Sequence, residues 1–310
     1  MLVGEPMGLF IAQSEGRLED VTGYSMAIAG AEFNVAVGLA RLGHPVSYLT
    51  RLGDDPFGRR IVHALEENHI GSELVDWTKD RSTGFMLKSR VRTGDPEIFY
   101  FRRGSAASAL SSEQIDGTDF SGYRMVHLTG ILPALSPAAR EAAFRLIDRA
   151  REHDMTVSFD PNLRPQLWES RETMVETVNA LAARADYVFP GESEGGILCG
   201  STDPEAISDF YLNLGAKAVV TKVGSKGAYL AEPCRRALIP GFRVEKVVDT
   251  VGAGDGFAAG IISALMEGRT LDEAVRRGNA VGAIQVMNVG DNDGLPTRAE
   301  LASFMGVSTL

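Results

Sequence analysis

Asp249-Thr250-Val251-Gly252-Ala253-Gly254-Asp255-Gly256-Phe257-Ala258-Ala259-Gly260 is a turn running into the opening of an apolar helix, and the fold is decided by how it is read. Gly252, Ala253 and Gly254 carry almost no side chain, so a bulky anion can approach their amides closely. The spacing predicts a helix from about Asp255 to Met266, whose positive end and unpaired N–H groups fall at the same spot. A glycine-rich turn feeding a helix N-terminus is a phosphate cradle. Asp255 stands apart in it, because a carboxylate repels a resting phosphate. A base at that point instead takes a proton from a hydroxyl as the hydroxyl attacks phosphorus. The competing reading is a plain helix N-cap after a flexible turn, which suits Asp and Gly equally. The rest of the chain decides between the two.

Upstream of the turn, strands and helices alternate. Met125–Leu128, Thr156–Phe159, Tyr187–Phe189 and Ala218–Val223 read as strands. Helices are expected from Ser136-Pro137 to about Glu152, over about Arg171–Arg184, and over Pro204–Leu214. A second long helix follows the turn, from Leu271 to about Val289. This alternation predicts βαβ units and a mostly parallel sheet. Nearer the start, the stretch from Ile28 to Gly43 puts Phe33, Val37 and Ala40, with Val35 and Leu39, on a broad apolar helical face, and Gly43 is placed to stop it. Val46–Leu49 is a short strand. Asp54-Asp55-Pro56 caps the next helix, with Phe57, Ile61 and Leu65 facing inward.

Thr83–Phe101 changes character: apolar and aromatic residues flank Thr93-Gly94-Asp95-Pro96 in the manner of a hairpin. With residues near 10–28 it is expected to form a small β-sheet outside the main body. Only Met1-Leu2-Val3 precedes Gly4-Glu5, so the first strand is either short or begun late.

The chain has 310 residues, 44% of them hydrophobic and 23% charged, which suits a large α/β domain. No apolar run approaches the roughly 20 residues of a membrane span. Met1 to Pro6 shows no basic stretch followed by an apolar core, so no signal peptide is expected. Two cysteines, Cys199 and Cys234, form no disulfide framework and point to a reducing, cytoplasmic setting. A net charge of −10 argues against general binding to nucleic acid or anionic membrane. A chain this acidic that handles anions must gather its positive charge locally.

These features together resemble the ribokinase/PfkB carbohydrate kinases over nearly the whole chain. The most specific motif is D-T-x-G-A-G-D at Asp249–Asp255, joined by Ala29-Gly30-Ala31-Glu32-Phe33-Asn34 and by the stretch from Val220 to Ala228 that contains Lys222, Gly224, Lys226 and Gly227. The resemblance implies one ribokinase-like catalytic domain over 1–310. Its fold would be a three-layer α/β/α sandwich with a mostly parallel central sheet and a β-sheet lid from about 10–28 and 82–104. It implies ATP as phosphoryl donor, Mg2+, and possible use of a monovalent cation such as K+.

Asp255 would then be the general base, and the amides from Gly252 through Ala253 and Gly254 to Asp255 an anion hole. Gly30 would let the sugar lie close to the backbone, and Asn34 would bond it; alternatively Asn34 is an ordinary polar residue in a first helical turn. Lys222, Gly224, Lys226, Gly227 and Gly254 would lie along the nucleotide, with Lys226 open to a merely solvated role. Asp249, with Val289-Gly290, would serve the monovalent cation. The family's N-x-x-E corresponds here to Gly191-Glu192-Ser193-Glu194, which lacks the asparagine. Glu194 would organise Mg2+ through water, unless it is a surface charge like Glu192.

Two further stretches bear on the substrate. Tyr100 and Arg102 point to the same face of an extended strand, and Arg164 lies just beyond a strand end, where parallel sheets bind ligands. A neutral sugar needs no guanidinium, whereas a carboxylate gains charge-assisted bonds from one. These stretches resemble the 2-keto-3-deoxygluconate kinases, which implies that Tyr100, Arg102 and Arg164 bind a sugar acid. Arg102 and Arg103 otherwise read as a solvated edge pair, and Arg164 as a partner of Asp160. The rivals are a neutral-sugar kinase such as a fructokinase, an inactive sugar-binding regulator of the same fold and, more remotely, a dinucleotide oxidoreductase. The other expected partner is a second copy of the chain, since lid strands expose edges that pair in dimers.

Overall fold

A computed structural model describes residues 1–91 and 96–308. The chain opens with β1 (Leu2–Val3), β2 (Met7–Glu15), β3 (Tyr24–Ala29), α1 (Ala31–Arg41), β4 (Tyr48–Gly53), α2 (Pro56–Glu67) and β5 (Val75–Thr78). Then come β6 (Phe85–Arg90), β7 (Ile98–Phe101), α3 (Ser112–Asp116), β8 (Met125–Thr129), α4 (Pro137–Glu152), β9 (Thr156–Asp160) and α5 (Arg171–Ala182). The remainder is β10 (Tyr187–Val188), α6 (Glu192–Leu198), α7 (Pro204–Leu214), β11 (Ala218–Lys222), β12 (Gly227–Glu232) and β13 (Arg235–Pro240), then α8 (Ala253–Met266), α9 (Leu271–Gln285) and α10 (Arg298–Met305).

Nine strands form one sheet in the order β13-β12-β11-β10-β9-β8-β1-β4-β5. It is parallel from β11 to β5, and β12 pairs antiparallel with both its neighbours. Side chains alternate across a strand, so each strand feeds two cores. Leu2, Tyr48, Met125 and Val220 enter the one shared with α1, α8 and α9. Their neighbours Val3, Leu49, Val126 and Val219 enter the one shared with α4, α5 and α7. This is the α/β/α sandwich expected.

β1 is short, yet it is an interior strand of the sheet, between β8 and β4, and the buried Glu5 follows two residues after its end. The helix starts follow the sequence signals: Asp55, Ser136 and Asp203 each cap a helix whose first residue is proline. α8 packs closely on α9, because a Cβ on Gly260 would lie 2.7 Å from the Gly278 Cα. That contact fixes where the N-terminus of α8 points.

A second sheet of four strands, β3-β2-β6-β7, has its own small core of Met7, Leu9, Ala29 and Met86. The expected turn at Thr93-Gly94-Asp95 lies outside the described residues. Two boundaries differ from expectation. Ile28 and Ala29 belong to β3 rather than to the helix. α9 stops at Gln285, short of Val289, because the Gln285 side-chain amide donates to Gly290 O (2.7 Å) and Val251 O (3.2 Å) and folds the chain back.

Candidate active site

The second sheet faces the carboxyl ends of the central strands across a cavity of about 690 Å3. Met7, Ala29, Met86, Ile98, Tyr100 and Arg102 line it from the small-sheet side, and Gly30, Asn34, Asn162, Arg164, Glu194, Lys222 and the Thr250–Asp255 turn from the other. A second, mainly apolar cavity of about 350 Å3 meets it at Lys222, Thr250 and Gly254. Gly224, Gly227, Phe242, Val247 and Phe257 line that second cavity. Among the described residues the exposed Lys226 lines neither.

Asp255 stands in the first turn of α8, where the cavities meet. Asn34 Nδ2 donates to its Oδ2 (2.8 Å) and Asn162 Nδ2 to its Oδ1 (3.3 Å). Asn292 Nδ2 in turn donates to Asn34 Oδ1 at 2.9 Å, which fixes the orientation of the Asn34 amide. Burial raises the Asp255 carboxyl to about 6, with the Asn34 bond and then the Arg164 and Lys222 charges pulling the other way. Gly252 caps α8 in a left-handed conformation (φ 76°), and a Cβ there would meet Asp291 O at 2.0 Å. Only glycine fits that turn, so its absence of side chain answers to chain packing as well as to an anion. Gly254 lies open to the cavity, the nearest atom to a Cβ there being Lys222 Nζ at 3.8 Å.

Gly30 (φ 146°) caps α1 beneath the small sheet, where a Cβ would lie 2.9 Å from Glu5 O. Lys222 Nζ bonds Asp160 Oδ2 at 2.7 Å and is 3.9 Å from Glu194. Burial opposes the Lys222 charge, but Asp160 and Glu194 outweigh it and hold the ammonium above its ordinary value. Burial pushes Asp160 up to about 6 against the pull of Lys222, so the pair is ionised at neutral pH.

The two expected arginines differ. Arg164 bonds the carbonyls of Leu163 (2.9 Å) and Asn162 (3.4 Å) and has no carboxylate partner among the described residues; Asp160 is taken by Lys222. Arg102 is buried, lies over the Tyr100 ring, and pairs with Glu5 through Nε (2.7 Å) and Nη2 (2.5 Å). Glu5 Oε1 remains without a protein partner and borders the cavity. Arg103, by contrast, is exposed.

Glu194 is no loose surface charge. Its carboxylate accepts from Gly191 N (2.7 Å) and Leu163 N (2.9 Å), tying the start of α6 to the loop that carries Asn162 and Arg164. A carboxylate holding two amides keeps lone pairs for the waters of a divalent ion, so it fits an outer-shell Mg2+ role. No group of three metal-ligating side chains gathers among the described residues. Asp249 differs in that a cation already stands beside it: the Lys88 ammonium lies 3.4 Å from its Oδ2, while its Oδ1 accepts from Val251 N (3.0 Å).

Sequence reasoning missed Asn162, Glu5, Lys88 and Asp291. Asn162 carried a signal in the turn-forming run Asp160-Pro161-Asn162, and in the structure it holds a left-handed backbone (φ 39°) that Asn tolerates. The other three are brought in by contacts between segments far apart in the chain, which no local pattern announces.

Residues 1–298 match the model of the pfkB family carbohydrate kinases. The chain is 45% identical over 303 residues to the 2-dehydro-3-deoxygluconokinase of Bacillus subtilis (strain 168), covering 97% of this chain and 94% of the relative. It resembles the crystal structure of the PfkB protein from Polaromonas sp. JS666 with a TM-score of 0.90 at 44% identity, covering 97% of this chain and 98% of that one. It also resembles a fructokinase double mutant from Vibrio cholerae O395, solved with fructose, ADP and potassium ion, with a TM-score of 0.87 at 26% identity over 98% of this chain and 96% of that one.

Proposed function

The chain belongs to the pfkB family of carbohydrate kinases, and on that footing we propose that it transfers the γ-phosphoryl group of ATP to the terminal hydroxyl of 2-keto-3-deoxygluconate or a close sugar acid. The observation that carries this reading is the pairing, in one cavity, of Asp255, set between two amides at the mouth of a bare-backbone turn, with the guanidinium of Arg164, which has no carboxylate partner among the described residues.

Arg164 and Arg102 take the carboxylate end of the substrate, with Tyr100 beside Arg102. Glu5 aligns Arg102 and lowers the net positive charge there, so Arg164 provides most of the attraction. Asn34 and the backbone at Gly30 hold the middle. Asp255 takes the proton of the far hydroxyl as its oxygen attacks phosphorus. The amides of Gly252, Ala253, Gly254 and Asp255 meet the charge that grows on the transferred group. The second cavity takes the base of ATP, along Gly224 and Gly227, with Lys222 at its mouth; Lys226 has no part. Glu194 would hold the waters of a bound Mg2+, which would supply screening of the polyphosphate charge.

The small sheet acts as a lid that keeps water, a rival acceptor, from the γ-phosphate. Phe99 and Phe101 are exposed at 55% and 45%, and this is the surface through which two copies pair. Among the described residues no helix is long and apolar enough to cross a membrane.

A coupled ADP-release assay tests the reading. 2-keto-3-deoxygluconate is expected to be turned over in preference to fructose. Faster turnover of fructose would favour a neutral-sugar kinase, and turnover of neither a sugar-binding regulator.

A further inference from the structure

Lys88 is a buried charged residue with no place in the scheme above. It lies on β6 of the small sheet, two residues from Met86 and therefore on the same face, the one turned to the cavity. Its side chain is 8% exposed. Nζ is 3.1 Å from Asp291 Oδ1 and 3.4 Å from Asp249 Oδ2, and both carboxylates are themselves largely enclosed, at 7% and 18% exposure.

These two aspartates hold the two sides of the turn that forms the anion hole. Asp249 Oδ1 accepts from Val251 N. The Asp291 carbonyl is the atom against which Gly252 packs. Gln285 completes the frame by bonding Val251 O and Gly290 O. Two neighbouring enclosed carboxylates repel each other, and the Lys88 ammonium within 3.4 Å of both offsets that repulsion. A cation between them is what keeps the frame closed. A loose monovalent ion at these carboxylates would meet the Lys88 ammonium already seated between them and be repelled by its charge.

We infer that the Lys88 ammonium is a built-in replacement for a monovalent cation at the Asp249–Asp291 pair, and that it latches the small sheet to the anion-hole turn. Turnover is then independent of potassium, and the turn takes its working shape when β6 lies over the cavity. Lys88 is a positioning residue: it touches neither substrate nor phosphate. The inference rests on the kinase reading for its rate measurement and is independent of it for its binding measurement.

The test is steady-state turnover of 2-keto-3-deoxygluconate with Mg-ATP in buffers whose sole monovalent cation is tetramethylammonium, with and without added potassium chloride. The native enzyme is expected to change by less than about twofold on adding potassium. Lys88→Met is expected to lose about tenfold or more in kcat with the KM for the sugar acid little moved, since the loss falls on transition-state charge. Lys88→Ala, which leaves space, is expected to regain part of its rate with potassium or methylammonium, and Lys88→Arg to keep most of it. Thallous-ion NMR gives the second measurement without turnover: no ion bound at the turn in the native protein, and one gained in Lys88→Ala. Activation of the native enzyme several-fold by potassium, a thallous site in the native protein, or native-like turnover of Lys88→Met in tetramethylammonium buffer would each overturn the inference. If no sugar acid is turned over, the kinase reading fails, and the thallous-ion result still decides this one. If Lys88→Met does not fold, the potassium response and thallous binding of the native protein decide it.

Discussion

Asp255 can serve as a base at neutral pH because burial lifts its carboxyl only to about 6: high enough to accept a proton in the transition state, low enough to be ionised beforehand. The active form is the deprotonated one, so kcat/KM is expected to fall by about tenfold per pH unit on the acid side of that value, as a pH–rate profile will show. Asp255→Asn keeps the size and the Asn34 contact region but removes the acceptor. It is expected to lower kcat by about a thousandfold with sugar-acid binding retained, measured by single-turnover kinetics and calorimetry. Near-native turnover of that variant would end the base assignment. At Arg164 a charge-assisted bond of roughly 2 kcal/mol is lost on substitution by Ala, so the KM for a sugar acid is expected to rise about thirtyfold while a neutral sugar is unaffected. The placement of Asp255, Asn34 and Arg164 at the cavity was legible because each lies in a stretch whose local pattern predicts a strand end or helix start. The Glu5 partner of Arg102 was not, because 97 positions separate the two residues.

Helix α8 meets the cavity at its first turn, yet its placement is decided near its middle. The Gly260–Gly278 contact lets α8 and α9 approach backbone to backbone, and the buried Phe257, Ile261 and Ile262 hold them there. Gly260→Val would push a side chain into the Gly278 Cα and the Arg277 carbonyl, neither of which can rotate away. The expected cost is about 1–3 kcal/mol of stability. Because the same helix aims the anion hole, kcat should fall with it. Thermal melting and turnover measured on the same sample check this; a lowered melting temperature with unchanged kcat would separate the helix packing from the site.

Across the whole molecule, Glu32 joins three elements beneath the cavity. It is fully buried in the first turn of α1, accepts from Thr129 Oγ1 of β8 at 2.6 Å, and closes against Gly4 beyond β1, with its Oε2 unpaired. Burial raises its carboxyl to about 7, above the ordinary 4.5. The folded chain therefore keeps a proton that the unfolded chain releases between those two values. Stability falls as pH rises through that window, by on the order of 3 kcal/mol in full, and levels off above it. Asp160 and Asp255 act with the same sign up to about 6. Glu32→Gln is expected to flatten the fall and to be more stable than the native chain at about pH 8, which urea denaturation at several pH values will measure. An unaltered slope in that variant would mean the proton is held elsewhere.

The sequence by itself determined the layered α/β body, the small second sheet and the turn at Gly252–Asp255, because hydrophobic period, caps and turn residues are written within a dozen positions of one another. It also placed Arg164 beside a cavity. Tertiary structure alone decided which charges remain free. Arg102 is neutralised by Glu5 and Asp160 by Lys222, and the Asp249–Asp291 pair is bridged by Lys88, each partner arriving from a distant segment. The energy of a buried charge depends on what lies within a few ångströms of it, and chain topology sets that distance.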